Sequence, residues 1–231
     1  MQQMQPLQAT PEMCYHCFQV LIEALLENRK PSRLPDFVDD LPDKLVECPL
    51  FVTWEKMHNR TWQLRGCIGT LSPKRLDSSV GEYALTSALM DRRFHPIKQS
   101  EIRSLRVGVS LLVDYEVCRD VYDWIVGVHG ILIKFQVGRN QYSATYLPEV
   151  AKEQRWNQDS AVRSLIQKAG YNGEVSKELL RSIGCTRYKS SKYKVSFDEF
   201  VTQKCQGQSP LLMENDVSRR RDILAAGCKI S

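Results

Sequence analysis

The chain has 231 residues, 42% of them hydrophobic, which is enough for an ordinary core plus tails. Its 32 basic and 27 acidic side chains leave a formal charge of +5. The cations are dispersed, as in Arg92-Arg93 and in Lys189, Lys192 and Lys194, so they read as solvated surface and give no clear sign of nucleic-acid binding. Eight scattered cysteines, with no leader-like N-terminus and no apolar run of membrane length, predict an intracellular protein with reduced thiols.

Residues 1–11 are Gln-rich and read as a disordered tail. From Pro11, the apolar residues Met13, Cys14, Cys17, Phe18, Leu21 and Leu25 recur at helical spacing. The Pro- and Asp-rich stretch 29–49 reads as a long connection with one short turn. Segments 50–55 and 61–68 predict a hairpin turning through Lys56 to Arg60. Asp77 or Ser78 is the expected cap of a helix running to Met90, with Val80, Ala84 and Leu85 or Ala88 inward. Leu105, Val107, Val109, Leu111 and Val113 alternate as a strand. Residues 131–137 and 141–146 form a second hairpin around Gly138-Arg139-Asn140. Asp159 or Ser160 should cap a helix that ends near Gly170, and Ser176 should start another. A last strand is expected over 192–197, and 206–231 is expected to be a mobile tail. The domain therefore spans 12–205. Strand pairs beside separated helices, without βαβ alternation, predict an α+β fold with a largely antiparallel sheet flanked by helices.

The most informative stretch is Leu64-Arg65-Gly66-Cys67-Ile68-Gly69-Thr70. If the strand stays regular, Arg65 and Cys67 share one face, where the arginine would favour the thiolate. Gly66 and Gly69 would permit close backbone approach or positive φ, and the amides between them could form an anion-binding nest. The alternative is a tight turn in which Cys67 is a small packing residue.

Three further segments complete a pattern: Asp91-Arg92-Arg93-Phe94-His95-Pro96, Gly127-Val128-His129-Gly130-Ile131, and the run from Thr145 to Trp156. With Leu64–Thr70 they resemble the AMMECR family, over about residues 13–205. The resemblance implies a two-part α+β domain with a smaller, mostly β part and a cleft between the parts near the cysteine motif. It implies a location in the cytoplasm, the nucleus or both. Prokaryotic members tend to be encoded beside a metal-dioxygenase-like and a radical-SAM protein, which suggests a modification pathway. It carries no agreed reaction with it.

Other motifs have plainer readings. Arg93 could take a carboxylate or phosphate in bidentate fashion, but an Asp91–Arg93 pair that orders the loop, with Phe94 plugging the core, is preferred. His95 and His129 are the candidate bases for Cys67, although a Gly-His-Gly histidine is more often a turn residue. His58 belongs to the hairpin turn. Cys14-Tyr15-His16-Cys17 has the spacing of half a zinc site, yet nothing completes four ligands, so core packing is preferred and no metal or cofactor is implied. Glu149, Glu153 and Trp156 read as a solvated cap and a packing tryptophan. Cys228-Lys229-Ile230-Ser231, behind Arg219-Arg220-Arg221, outlines a prenylation box, the one route to a membrane.

The expectation is a protein that binds a small ligand or a protein segment through Arg65, Gly66, Cys67, Ile68, Gly69 and Thr70, with Arg93, Phe94 and His129 completing the wall. An enzyme using Cys67 as nucleophile or redox thiol, and a scaffold, remain as alternatives.

Overall fold

The computed structural model describes residues 6–26, 35–41 and 45–205. It is an α+β structure whose six strands hydrogen-bond in one sheet, in the order β2-β1-β3-β6-β4-β5. β1 (Glu47–His58) and β2 (Thr61–Arg75) form the first hairpin, and β1 also pairs antiparallel with β3 (Leu105–Val117). β4 (Gly130–Val137) pairs antiparallel with both β5 (Asn140–Tyr146) and β6 (Gly184–Ser196). The chain divides into two compact units, Met1–Leu111 with Lys192–Ser231, and Leu112–Ser191.

In the first unit, α1 (Pro11–Leu26) begins at a proline, whose missing N–H costs nothing in a first turn. It buries Met13, Cys14, Cys17, Phe18 and Leu21, as the spacing predicts, together with His16, Val20 and Ile22. Phe18 is the hub, with its ring 5.3 Å from Trp54 on β1 and 5.2 Å from Phe200. Its complete burial is worth roughly 3 kcal/mol. Phe200 lies on α6 (Phe197–Lys204), a helix not expected from the sequence, while the strand expected over 192–197 is the end of the longer β6. Ser196 and Glu199 start it with a reciprocal capping box.

α2 (Leu76–Leu89) starts ahead of the expected caps, with Arg75 at the N-cap and no side-chain cap. Asp77 instead sits in the first turn, where a carboxylate suits the helix dipole, and pairs with Arg75. Val80, Ala84 and Ala88 face inward as predicted. The Trp54 indole N–H donates to Ala84 O at 2.9 Å, which ties the helix to β1.

In the second unit, Ile131, Ile133 and Phe135 of β4 pack on α4 (Gln158–Lys168) through Ala161, Val162, Leu165 and Ile166. The cap of α4 is Asn157, two residues before the expected position, and its side chain accepts from Ser160 N–H. Two short helices, α3 (Pro148–Glu153) and α5 (Lys177–Ser182), complete this unit. Ser176 caps α5 as predicted.

Candidate functional site

The β1–β2 turn fixes the register of the motif. Asn59 and Arg60 take positive φ (47° and 65°), which makes a two-residue connection and pairs His58 with Thr61. Continued without a slip, that register would set Cys67 beside Val52, on the face buried under the helices. It does slip. Trp54 pairs with Gly66 while Glu55 pairs with Leu64, so Arg65 is an extra residue on β2, a β-bulge. The bulge moves Cys67 opposite Thr53, onto the face away from Leu50, Val52 and Trp54.

The regular strand expected from sequence would have put Arg65 and Cys67 on one face, and the bulge separates their roles. Arg65 grips Glu101 in a two-pronged pair (Nε to Oε1 and Nη2 to Oε2, both 3.0 Å) and donates to Pro96 O at 3.3 Å. Lys56 joins the same carboxylate at 2.9 Å. Burial raises the Glu101 pKa, but hydrogen bonds from Arg65, the Lys98 N–H and Lys56 outweigh it and bring it to about 2. The Nη1 of Arg65 is buried without a hydrogen-bond partner among the described residues, a cost the pair with Glu101 must cover. Arg65 is thus committed to holding structure.

The glycines serve close approach. A Cβ on Gly66 would lie 2.1 Å from Ser87 O of α2, and one on Gly69 would lie 2.3 Å from Leu50 O. Neither glycine has positive φ, so the conformational freedom anticipated for them is not used.

Cys67 is pinned by its own peptide groups. Its N–H donates to Asp91 Oδ2 at 2.8 Å, and its C=O accepts from Arg93 Nη2 at 2.9 Å. Asp91 and Arg93 are locked to each other through Nε–Oδ1 (3.0 Å) and Nη2–Oδ2 (2.7 Å). The Arg93 hydrogen bonds, helped by the amides of Cys67 and Arg93, hold the Asp91 carboxyl well below the usual carboxylate range against the effect of burial. The loop-ordering pair expected at 91–93 is present, and its grip on Cys67 is additional. The Cys67 amide expected to help form an anion nest is already given to Asp91. Phe94 is half-buried beneath the Arg93 guanidinium, 5.5 Å from its ring centre.

The Thr53 hydroxyl donates to Cys67 Sγ at 3.2 Å. Ile68 and Thr70 pair with Val52 and Leu50 on the helix-covered face, while Gly69 shares the face of Cys67. Among the described residues seven cysteines are free; Cys14, Cys17, Cys48, Cys118, Cys185 and Cys205 are buried, and Cys67 is half-exposed. Burial pushes Cys14 up to about 12 and Cys17 well above its ordinary value, in keeping with their packing role on α1.

His129 belongs to the second unit. Its Nδ1 accepts from Ile125 N–H at 3.0 Å, and its own N–H returns to Ile125 O at 3.0 Å. That closes a turn and leaves the neutral ring with its proton on Nε2. Burial, then the charges of Arg187 and Lys189, lower its pKa. His58 and His95 are exposed. Cys228 lies outside the described residues. Sequence reasoning missed Thr53, Glu101 and Ser87 as neighbours of the motif. The turn is Asn59-Arg60, shorter than the expected Lys56 to Arg60 because β1 runs on to His58, and only the bulge beyond it brings Thr53 to Cys67, which no residue type announces.

The sequence matches the AMMECR1 family over residues 14–193. An uncharacterized protein of Arabidopsis thaliana is 43% identical over 197 residues, covering 84% of this chain and 88% of its own. One from Schizosaccharomyces pombe is 40% identical over 192 residues, covering 82% and 94%. The crystal structure of an uncharacterized protein from Pyrococcus horikoshii superposes with a TM-score of 0.60 at 24% identity, over 79% of this chain and 89% of that one. Among the described residues no helix is long and apolar enough to cross a membrane.

Proposed function

The chain belongs to the AMMECR1 family, and on that footing we propose that it is a binding protein whose contact surface is built around Cys67. The observation that carries this reading is the pinning of the Cys67 peptide by Asp91 and Arg93, at the one described cysteine that is not buried. A backbone held at both its N–H and C=O loses little further freedom when a ligand arrives, and such preorganisation favours binding. The ligand is a small molecule or an extended protein segment that meets the Cys67 thiol, Gly69 and the exposed part of Arg93. Arg65, Gly66, Ile68 and Thr70 hold the surface in place, with Phe94 beneath the Arg93 guanidinium. The seven cysteines among the described residues are free, which suits a reducing compartment, cytoplasm or nucleus.

A small-molecule panel screened by thermal stabilisation tests this reading, with untreated protein compared against protein alkylated at Cys67. Compounds that raise Tm should lose the effect on alkylation and in Arg93→Ala. Compounds that stabilise both forms equally would place binding elsewhere. The Thr53 O–H···Sγ bond favours a second reading, in which Cys67 attacks a substrate. That reading predicts alkylation of Cys67 many times faster than that of free cysteine at neutral pH, and a rate no higher than free cysteine's would remove it. Membrane tethering through Cys228 is a separate proposal. A clickable isoprenoid should label the native chain and not Cys228→Ser, and an unlabelled native chain ends the idea.

A further inference from the structure

Immediately beyond the motif, β2 continues as Leu71-Ser72-Pro73-Lys74-Arg75. Leu50 pairs with Thr70 and Cys48 pairs with Lys74. Leu71, Ser72 and Pro73 therefore stand against Pro49 alone. Neither Pro49 nor Pro73 has an N–H to offer, so the ladder cannot be completed there and the surplus residues leave it. β2 is also the outermost strand of the sheet. All five residues from Leu71 to Arg75 are exposed. The segment is shaped through main-chain groups, since Ser72 N–H donates to Thr70 Oγ1 at 3.0 Å and the Thr70 hydroxyl donates to Ser72 O at 3.1 Å.

Ser72 is solvent-facing at the centre of the three residues that stand out of the ladder, between Thr70, paired with Leu50, and Lys74, paired with Cys48, and a hydroxyl presented in this way is one a protein kinase can reach. The residues that follow select the kinase. Proline at the next position has no amide hydrogen, so it suits enzymes that hold that position in an apolar socket. Lys74 and Arg75 add cations at the second and third positions, a charge pattern of the kind kinases discriminate by. Two other Ser/Thr-Pro pairs occur in the chain. Thr10-Pro11 is followed by Glu12 and Met13, and its hydroxyl oxygen already accepts from Met13 N–H at 3.5 Å. Ser209-Pro210 is followed by Leu211 and Leu212 and lies outside the described residues. Ser72 alone combines the proline with downstream cations.

We propose that Ser72 is a phosphorylation site for a proline-directed serine/threonine kinase that favours basic residues after the proline. In the transfer, Ser72 Oγ attacks the γ-phosphorus of magnesium-bound ATP. The Oγ–P bond forms, the bond from that phosphorus to the β,γ-bridging oxygen breaks, and ADP leaves. The hydroxyl proton passes to the kinase's catalytic aspartate. The product carries roughly two negative charges beside Lys74 and Arg75. Arg75 is exposed and pairs with Asp77 at 2.5 Å in the first turn of α2, so the phosphate competes with Asp77 for the guanidinium. It does so two residues beyond Thr70, at the rim of the Cys67 surface.

The test is incubation of the full chain with a purified kinase of this class and magnesium ATP, with phosphate mapped by tandem mass spectrometry. Ser72 should be modified about tenfold faster than Thr10 or Ser209, as charge-pattern discrimination implies. The Ser72 signal should vanish in Ser72→Ala and fall at least severalfold in Pro73→Ala and in Lys74→Gln. Modification of a free peptide spanning 67–77 but not of the folded chain would overturn the proposal, because the fold would then withhold the serine. Equal labelling of all three sites, or indifference to Pro73→Ala, would overturn it as well. None of these outcomes depends on what, if anything, binds at Cys67.

Discussion

The hairpin β1–β2 loses register twice, at Arg65 and again opposite Pro49. The hairpin β4–β5 pairs from Ile131↔Tyr146 to Val137↔Asn140 without a slip, and Gly138 (φ 60°) closes its turn. Both are antiparallel, and both contribute residues to a buried core. They differ in what lies against the outer strand. β2 meets charged side chains at Cys67 and a helix backbone at Gly66, whereas β5 meets the apolar side of α4, with Tyr146 bonded to Ser164 at 3.0 Å. An irregular strand re-aims one chosen side chain, while a regular one supplies an even apolar surface. The irregular hairpin is where the candidate site lies.

Substitutions can break this contrast, and the largest effect belongs to the tightest contact. Gly66→Ala drives a Cβ into Ser87 O, a backbone atom that cannot swing aside, and should cost roughly 3 kcal/mol or prevent folding, read by urea denaturation. Asp91→Ala strips the Cys67 N–H and Arg93 of a partner that is 4% exposed, and the expected loss is about 2 kcal/mol by the same measurement. The acid limb reports on Glu101. Its pKa in the folded chain is depressed from 4.5 to about 2, so its contribution is complete above 4.5 and lost as pH falls toward 2. Glu101→Gln should flatten that part of the Tm-against-pH curve and lower Tm near neutrality. On the regular hairpin, Gly138→Ala meets no neighbour within 4 Å and carries only the penalty of positive φ, about 1 kcal/mol. Cys67→Ser is the smallest, under about 1 kcal/mol by denaturation, because the half-exposed thiol keeps a hydroxyl-sized replacement beside Thr53.

The elements that alternation and spacing can announce were legible in the sequence. α1, β3 and the second hairpin stand where periodicity put them, and Ser176 caps α5 because an N-cap serine has a local signature. α6 had its signature too, in Ser196-Phe197-Asp198-Glu199, but the strand expected over 192–197 ran on through Phe197, its first residue, and hid it. The motif itself was legible as a tight place. Its geometry was not, because Arg65 as a bulge is a matter of pairing between distant residues, and nothing in the identity of Arg65 separates a bulged position from a regular one. The partnership of Arg65 with Glu101 spans 36 residues and is settled by packing. The same limit applies to Thr53, whose hydroxyl reaches Cys67 only after the register has shifted.

Asp91 and Arg93 also bear on how copies of this chain behave together. At the outermost strand, a carboxylate accepting an N–H and a guanidinium donating to a C=O imitate the two bonds that a neighbouring strand would make. An uncovered strand of this length would be a template for another molecule's backbone and a route to aggregation. By occupying the N–H and C=O of Cys67 with side chains from its own loop, the fold interrupts the row of hydrogen bonds that a second chain would need. The ion pair that steadies Cys67 is in this sense also a guard on solubility.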